Sequence, residues 1–153
     1  MNVIKPPSEI IIPSGNKTVF LAGSIEMGVA ELWADRIIDS FDESDNITFL
    51  NPRRIDWSSD WKQDISNDQF RWQVQWELEG LEMSDLIVLY LQPGTMSPIS
   101  LLELGLFARD HKMVICCPDG FWRRGNVDII AQRYYIKQVD NIDDLIKSIK
   151  YMI

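Results

Sequence analysis

Glu103 is the residue of this sequence with the most chemical promise. It is set in Leu101-Leu102-Glu103-Leu104-Gly105-Leu106-Phe107. On a helix its face neighbours lie three and four positions away, at Ile99, Ser100, Leu106 and Phe107, and three of those four are apolar. A glutamate in that company is expected to be half buried. Desolvation favours its neutral form, while a nearby helix N-terminus favours the carboxylate; such opposed influences gather at catalytic carboxyls. Glu77, in Trp76-Glu77-Leu78-Glu79-Gly80-Leu81, is the second candidate. Two carboxyls flanking a glycosidic carbon cleave its bond by a division of labour. One is nucleophile or cation stabiliser, and the other handles protons. The structural alternatives are a Glu103 that snorkels or closes a cap, and a Glu77 that is merely solvated.

The remaining polar motifs give weaker signals. Gly23-Ser24-Ile25-Glu26 follows an apolar run and can bring backbone amides and a hydroxyl to an anion or a sugar. A turn there needs small residues in any case. There is no G-x-G-x-x-G and no G-x-x-x-x-G-K-[ST], so neither a dinucleotide cradle nor a P-loop is supported. Arg53-Arg54 and Arg123-Arg124 offer positive charge to a phosphate, or simply surface ion pairs. Cys116 and Cys117 close an apolar strand, where buried thiols are inert. His111, between Asp110 and Lys112, reads as a helix-end charge partner. Six tryptophans, among them Trp57 and Trp61 in a polar stretch, are either packing residues or walls for a flat ligand.

These residues need elements to position them. Short apolar runs at 18–22, 47–50, 86–91, 113–117 and 135–139 read as strands. The run at 86–91 has no polar interruption and belongs in the middle of a parallel sheet. Helical spacing appears at 28–41, over about 68–83 behind Ser66 or Asn67, and at 141–151. A further helix starts at Ser97-Pro98, with Ser as N-cap, and runs to about Asp110. Strand and helix alternate without repeat or linker. This predicts a doubly wound α/β sandwich with a five-stranded, mainly parallel sheet in one domain over 17–153. Residues 1–16 read as a flexible leader closed by Ser14-Gly15-Asn16. In such folds ligands bind at the carboxyl ends of the strands. Gly23-Ser24, Asn51-Pro52-Arg53-Arg54 and the segment 93–98 all lie there. The long polar loop 51–65 is of the kind that carries function.

Composition narrows the partners. Fifteen Lys+Arg against twenty-three Asp+Glu give a net charge of −8, which disfavours a whole-surface grip on a nucleic acid polymer or an anionic membrane. No apolar run approaches the roughly 20 residues of a membrane span. Adjacent cysteines rarely pair, so a reducing cytoplasm fits best. Two cysteines and one histidine offer no zinc-ligand spacing, and no metal or organic cofactor is expected.

Five motifs stand together in order: Phe20-Leu21-Ala22-Gly23-Ser24-Ile25-Glu26, Leu50-Asn51-Pro52-Arg53-Arg54, Gln75-Trp76-Glu77-Leu78, Ser97-Pro98-Ile99-Ser100-Leu101-Leu102-Glu103-Leu104-Gly105 and Phe121-Trp122-Arg123-Arg124-Gly125-Asn126-Val127. Through them the chain resembles the nucleoside 2-deoxyribosyltransferase-like family over roughly residues 18–139. The resemblance implies a flavodoxin-like fold and cleavage of the N-glycosidic bond of a small nucleoside or its 5′-monophosphate, with transfer to another base or to water. It maps the family nucleophile onto Glu103 and an upstream acid onto Glu77, where the well-studied transferases carry Asp. It implies that Gly23, Ser24, Ile25 and Glu26 line the base and sugar, with Asn51 and Arg53 nearby and Trp57 or Trp61 stacking on the base. Ser97 stands where those transferases carry a further Asp. Relatives that keep Ser there hydrolyse nucleoside monophosphates, and Ser97 would then meet sugar or phosphate. The resemblance also implies a homo-oligomer in which Asn126 finishes the site, within the chain or from a neighbouring subunit. Two other readings remain: a non-catalytic nucleotide-binding module, and a protein-interaction domain that uses its exposed tryptophans.

Overall fold

A computed structural model describes residues 1–25, 32–54 and 60–153. The elements follow in the order β1 (Asn2–Ile4), β2 (Lys17–Gly23), α1 (Trp33–Ile38), β3 (Ile47–Leu50), α2 (Asp68–Met83), β4 (Leu86–Tyr90), α3 (Pro98–Phe107), β5 (Met113–Cys116), α4 (Arg124–Tyr134), β6 (Lys137–Val139) and α5 (Ile142–Met152). The strands form one six-stranded sheet in the order β1-β3-β2-β4-β5-β6, and every neighbouring pair is parallel. Set β1 aside and this is the doubly wound, flavodoxin-like order, in which the chain steps outward from β2 to β3 and then crosses back over β2 to β4.

That reversal divides the helices between the two faces, because right-handed crossovers in opposite directions pack on opposite sides. Trp33, Ile37 and Ile38 of α1 and Leu145 and Ile149 of α5 share one apolar cluster with Val19, Leu21 and Val88. Trp76 and Leu81 of α2, Leu104 and Phe107 of α3, and Val127 and Ala131 of α4 share the other with Phe20, Ile87 and Ile115. Each central strand thus buries alternate side chains in different cores, and so its sequence is apolar without interruption. On the second face α2 lies close to the sheet. A Cβ at Gly80 would sit 2.8 Å from the Phe20 ring, which leaves room only for hydrogen.

Two expectations are corrected. The sheet has six strands rather than five. The added strand comes from the segment read as a flexible leader: Asn2–Ile4 pairs with Thr48–Leu50, and Asn51 N donates to Ile4 O at 3.0 Å. The chain then stays on the protein, with Ile10 and Ile12 packed on the core, Ile11 facing out, and Trp76 Nε1 donating to Ser8 O at 2.8 Å. A helix with no counterpart in the sequence reading, α4, covers the edge by β6. The helix expected from 28 is seen over Trp33–Ile38, and residues 26–31 lie outside the described residues. Among the described residues no helix is long and apolar enough to cross a membrane.

Candidate active site

The point where strand order reverses lies between the carboxyl ends of β2 and β4, and the polar residues converge there. β2 ends at Gly23, whose φ of +145° and lack of side chain are both required. A Cβ would stand 2.3 Å from Tyr90 O. This close approach lets Ser24 N donate to Tyr90 O at 2.9 Å and buries the Ser24 side chain. Ser24 Oγ accepts from Gln92 N at 2.9 Å and lies 3.0 Å from Thr95 Oγ1 and 2.6 Å from Ser97 Oγ. Thr95 Oγ1 and Ser97 Oγ are themselves 2.8 Å apart, and Thr95 Oγ1 donates to Gln92 O at 2.8 Å. Three buried hydroxyls therefore form one cluster at the start of α3. From the opposite face Trp33 Nε1 donates to Ser24 O at 3.0 Å and holds the turn.

Ser97 does occupy the N-cap position, with Pro98 beginning the helix, but its side chain does not cap. It has left-handed backbone, φ 45°, and its hydroxyl is engaged in the cluster. Glycine takes this conformation freely, and for a serine the cost is of the order of 1 kcal/mol.

Six residues into α3, Glu103 is buried, 8% exposed. Among the described residues its carboxyl makes no hydrogen bond. Burial, with a smaller contribution from the charge of Glu77, pushes it up to about 8. At neutral pH the carboxylic acid is thus its favoured form. Glu77 faces it from α2. Burial raises this carboxyl too, and a hydrogen bond from Gln73 works in the opposite sense. Gln73, 2% exposed, donates through Nε2 to Glu77 Oε1 at 2.7 Å and to Pro52 O at 3.1 Å. Arg54 reaches Gln73 Oε1 at 3.5 Å and lies over the rings of Trp61, at 4.9 Å, and Trp72, at 6.0 Å. The two carboxyls expected to work together are therefore within electrostatic reach of each other, on the α2–α3 side of the hydroxyl cluster.

The other site residues divide. Asn51 is buried; its Oδ1 accepts from Arg53 N at 3.1 Å, and its Nδ2 is a buried donor with no partner among the described residues. Ile25, Asn51 and Arg53 line a small cavity of about 10 Å³ beneath the β2 and β3 ends, together with Trp33 and Asp35. Trp61 is half buried against Arg54. Glu26 and Trp57 lie outside the described residues. Asn126, in the first turn of α4, is exposed and lines a groove of about 260 Å³ with Leu101, Leu104, Arg123 and Ile130. At 100° per residue Leu101 points almost opposite to Glu103 around α3. Asn126 is thus on the wrong flank of its own α3 to meet the carboxyl pair. Cys116 and Cys117 are buried, and burial pushes their thiols up to about 12 and about 11, so neither is a nucleophile at neutral pH. Gln73 was missed by the sequence reading. A lone glutamine in a polar helix carries no motif, and only its spacing of four from Glu77 hinted at a pair.

Comparison with known proteins gives two findings. A family described as nucleoside 2-deoxyribosyltransferase like matches residues 16–121. Among solved structures the chain is similar to a conserved protein from Enterococcus faecalis V583, with a TM-score of 0.64 and 16% sequence identity over 90% of this chain and 99% of that one. At that identity the likeness speaks for the fold alone. No curated protein matches the sequence.

Proposed function

Since this chain belongs to the nucleoside 2-deoxyribosyltransferase-like family, we propose that it cleaves the N-glycosidic bond of a 2′-deoxynucleoside or its 5′-monophosphate. Glu103 is the nucleophile of this reading. One observation carries it: a buried carboxyl without a hydrogen bond, beside a second carboxyl, at the strand-order reversal where this fold binds ligands. As the C1′–N bond breaks, its electron pair leaves with the base nitrogen, which takes up a proton from solvent. A Glu103 oxygen bonds to C1′ and a glycosyl ester forms. Water or a second base then attacks C1′ and gives up a proton to solvent, the bond between C1′ and the Glu103 oxygen breaks, and the carboxylate is restored. Glu103 must be ionised to attack. A poorly hydrated carboxylate is well matched to the positive charge that develops on the sugar. Glu77 orients Glu103 or a sugar hydroxyl. Asn51 Nδ2, the orphaned buried donor, and Arg53 contribute to the base and sugar pocket, with Trp61 at its rim.

The Ser24–Thr95–Ser97 hydroxyl cluster supports hydrolysis of a monophosphate over base exchange. Neutral hydroxyls beside a helix N-terminus suit a sugar or phosphate oxygen, and a carboxylate at Ser97 would repel the latter. The same exchange of Asp for Ser also favours a second reading, a nucleotide-binding module without turnover. Incubation with a panel of nucleosides and monophosphates, with and without an acceptor base, separates the readings by chromatography. Base release without acceptor is the expected result. Release only with acceptor marks a transferase, and binding without release marks the module.

A homo-oligomer is part of the proposal. Met96, Ile99, Leu102, Leu106 and Trp122 are each about half exposed, and from Thr95 to Ala108 the only ionisable side chain is the buried Glu103. Among the described residues the only charge on that face is Arg123, whose guanidinium lies 4.2 Å over the Trp122 ring, and exposed apolar side chains gathered in this way mark an interaction surface. A second copy suits it, because a chain of net charge −8 can approach itself best where it carries no negative charge. The family resemblance adds the role of Asn126, which would finish the site of a neighbouring subunit. Unpaired thiols at Cys116 and Cys117 support a cytoplasmic location.

A further inference from the structure

Gln73 lies outside the motifs that carry the family resemblance, yet it is among the most buried polar side chains of the molecule. Its amide orientation is dictated by its neighbours. The Pro52 carbonyl and the Glu77 carboxylate accept, and the Arg54 guanidinium only donates. A flipped amide would set its oxygen against the Pro52 carbonyl and its N–H groups against the guanidinium. The three contacts hold the side chain from three sides, the loop after β3, α2 and Arg54. Arg54 is in turn held over Trp61 and Trp72. A line of polarisation thus runs from a cation through one amide to one oxygen of Glu77, and it stops there. Glu103 receives no such donor from the described residues.

We propose that Gln73 is a positioning residue that makes Glu77 the ionised, immobile member of the carboxyl pair and leaves Glu103 the protonated one. The proposal rests on the reading of Glu103 as the group that meets C1′, and it adds the device that sets its protonation. A hydrogen bond to a carboxylate favours the charged form, and a cation behind the donor strengthens that bond. Two nearby buried carboxyls do not ionise together, so the charge fixed on Glu77 is repelled by, and excludes, a charge on Glu103. The other described charged groups around the pair do not select between its members. Arg53 is half buried beside Asn51. Asp68 and Arg71 pair with each other at 2.7 Å at the start of α2, and Glu79 and Glu82 face outward. Lys5 and Glu9 belong to the N-terminal segment, Lys5 being paired with Asp35 at 3.7 Å. The described end of β2, β4 and the turn into α3 add no charge near Glu103, and Cys117 at the end of β5 stays a neutral thiol.

The test is a pH titration of the full chain by carbon NMR with carboxyl-labelled glutamate, in wild type, Gln73→Met and Arg54→Gln. In Gln73→Met the Glu77 midpoint should rise and the Glu103 midpoint should fall by about one pH unit. Arg54→Gln, which keeps an amide but loses the charge, should move both in the same directions by less. A merely structural Gln73 would lower the melting temperature and leave the Glu103 midpoint in place, and that result overturns the proposal. If Gln73→Met does not fold, Arg54→Gln decides alone, and an unmoved Glu103 midpoint refutes the relay. Base release by Glu103→Gln is measured beside these titrations. Release that survives there defeats the nucleophile assignment while leaving the titration result standing, so the two failures are distinguishable.

Discussion

Glu103 is held as an acid at neutral pH because burial strips most of the water from its carboxyl, and that burial costs the fold. Its carboxyl lies at about 8 against an ordinary 4.5. Between those values the native state binds a proton that the unfolded chain has released, so stability falls as pH rises through the window and is greatest below it. The loss amounts to something on the order of 5 kcal/mol. Glu103→Gln removes it. The variant should melt near wild type at pH 5 and clearly above it at pH 8.5 in thermal unfolding, while base release disappears. Equal melting temperatures at pH 8.5 would contradict the burial argument. Activity carries the opposite sign. In the proposed reaction the attacking form is the carboxylate, so kcat/KM should climb about tenfold per pH unit below 8 and level above it. A profile flat from pH 6 to 9 would show that Glu103 enters ionised. The sequence reading anticipated this residue from its apolar neighbours, and it was right about burial for only part of the reason. Ile99 and Leu106 turned out to face solvent, while Ser100, Leu104 and Phe107 bury the face that Glu103 borders. Helical spacing shows that a carboxyl has apolar company, but not which side of the helix the sheet takes.

At the scale of elements, the site depends on how closely β2 approaches β4. Gly23 permits Ser24 to reach Tyr90 O, and through Ser24 it sets the hydroxyl cluster and the start of α3. Gly23→Ala would force a Cβ to within 2.3 Å of a backbone oxygen at a φ that side chains avoid. We expect a loss of about 3 kcal/mol by urea unfolding, with ligand binding weakened further. A loss below 1 kcal/mol would mean that the strand ends move apart freely. Central strands were legible because burial on both faces writes an unbroken apolar run. The elements that were missed are those whose partners lie far off in sequence. β1 is three residues long and exists only because β3 offers an edge. In α4 only Val127 and Ala131 are buried, Ile129 is exposed, and the apolar stripe is too thin to announce a helix. Gln73 was hidden for a like reason, since its partners Pro52 and Arg54 come from a loop that the sequence could not place against α2.

At the scale of the molecule, a net charge of −8 excludes polyanions but not one small phosphate drawn to the arginines after β3. The apolar face of α3 remains uncovered in the single chain. Leu102→Asp should therefore convert an oligomer to monomers in sedimentation velocity, with base release falling at least tenfold as Asn126 is lost from the partner's site. A monomeric wild type of full activity would remove both the interface and the shared residue. The fold class was readable from the alternation of strand and helix alone, and the strand-order reversal marks where this fold binds ligands. What the whole account depends on is a bond between Glu103 and a sugar carbon. The direct measurement is the mass of the intact chain, quenched in acid during turnover of a deoxynucleoside or its monophosphate, followed by peptide mapping. We predict a fraction of the chain heavier by one sugar or sugar phosphate, with the added mass on the peptide bearing Glu103 and absent from Glu103→Gln. A label on another residue, or one that persists in that variant, would contradict the account.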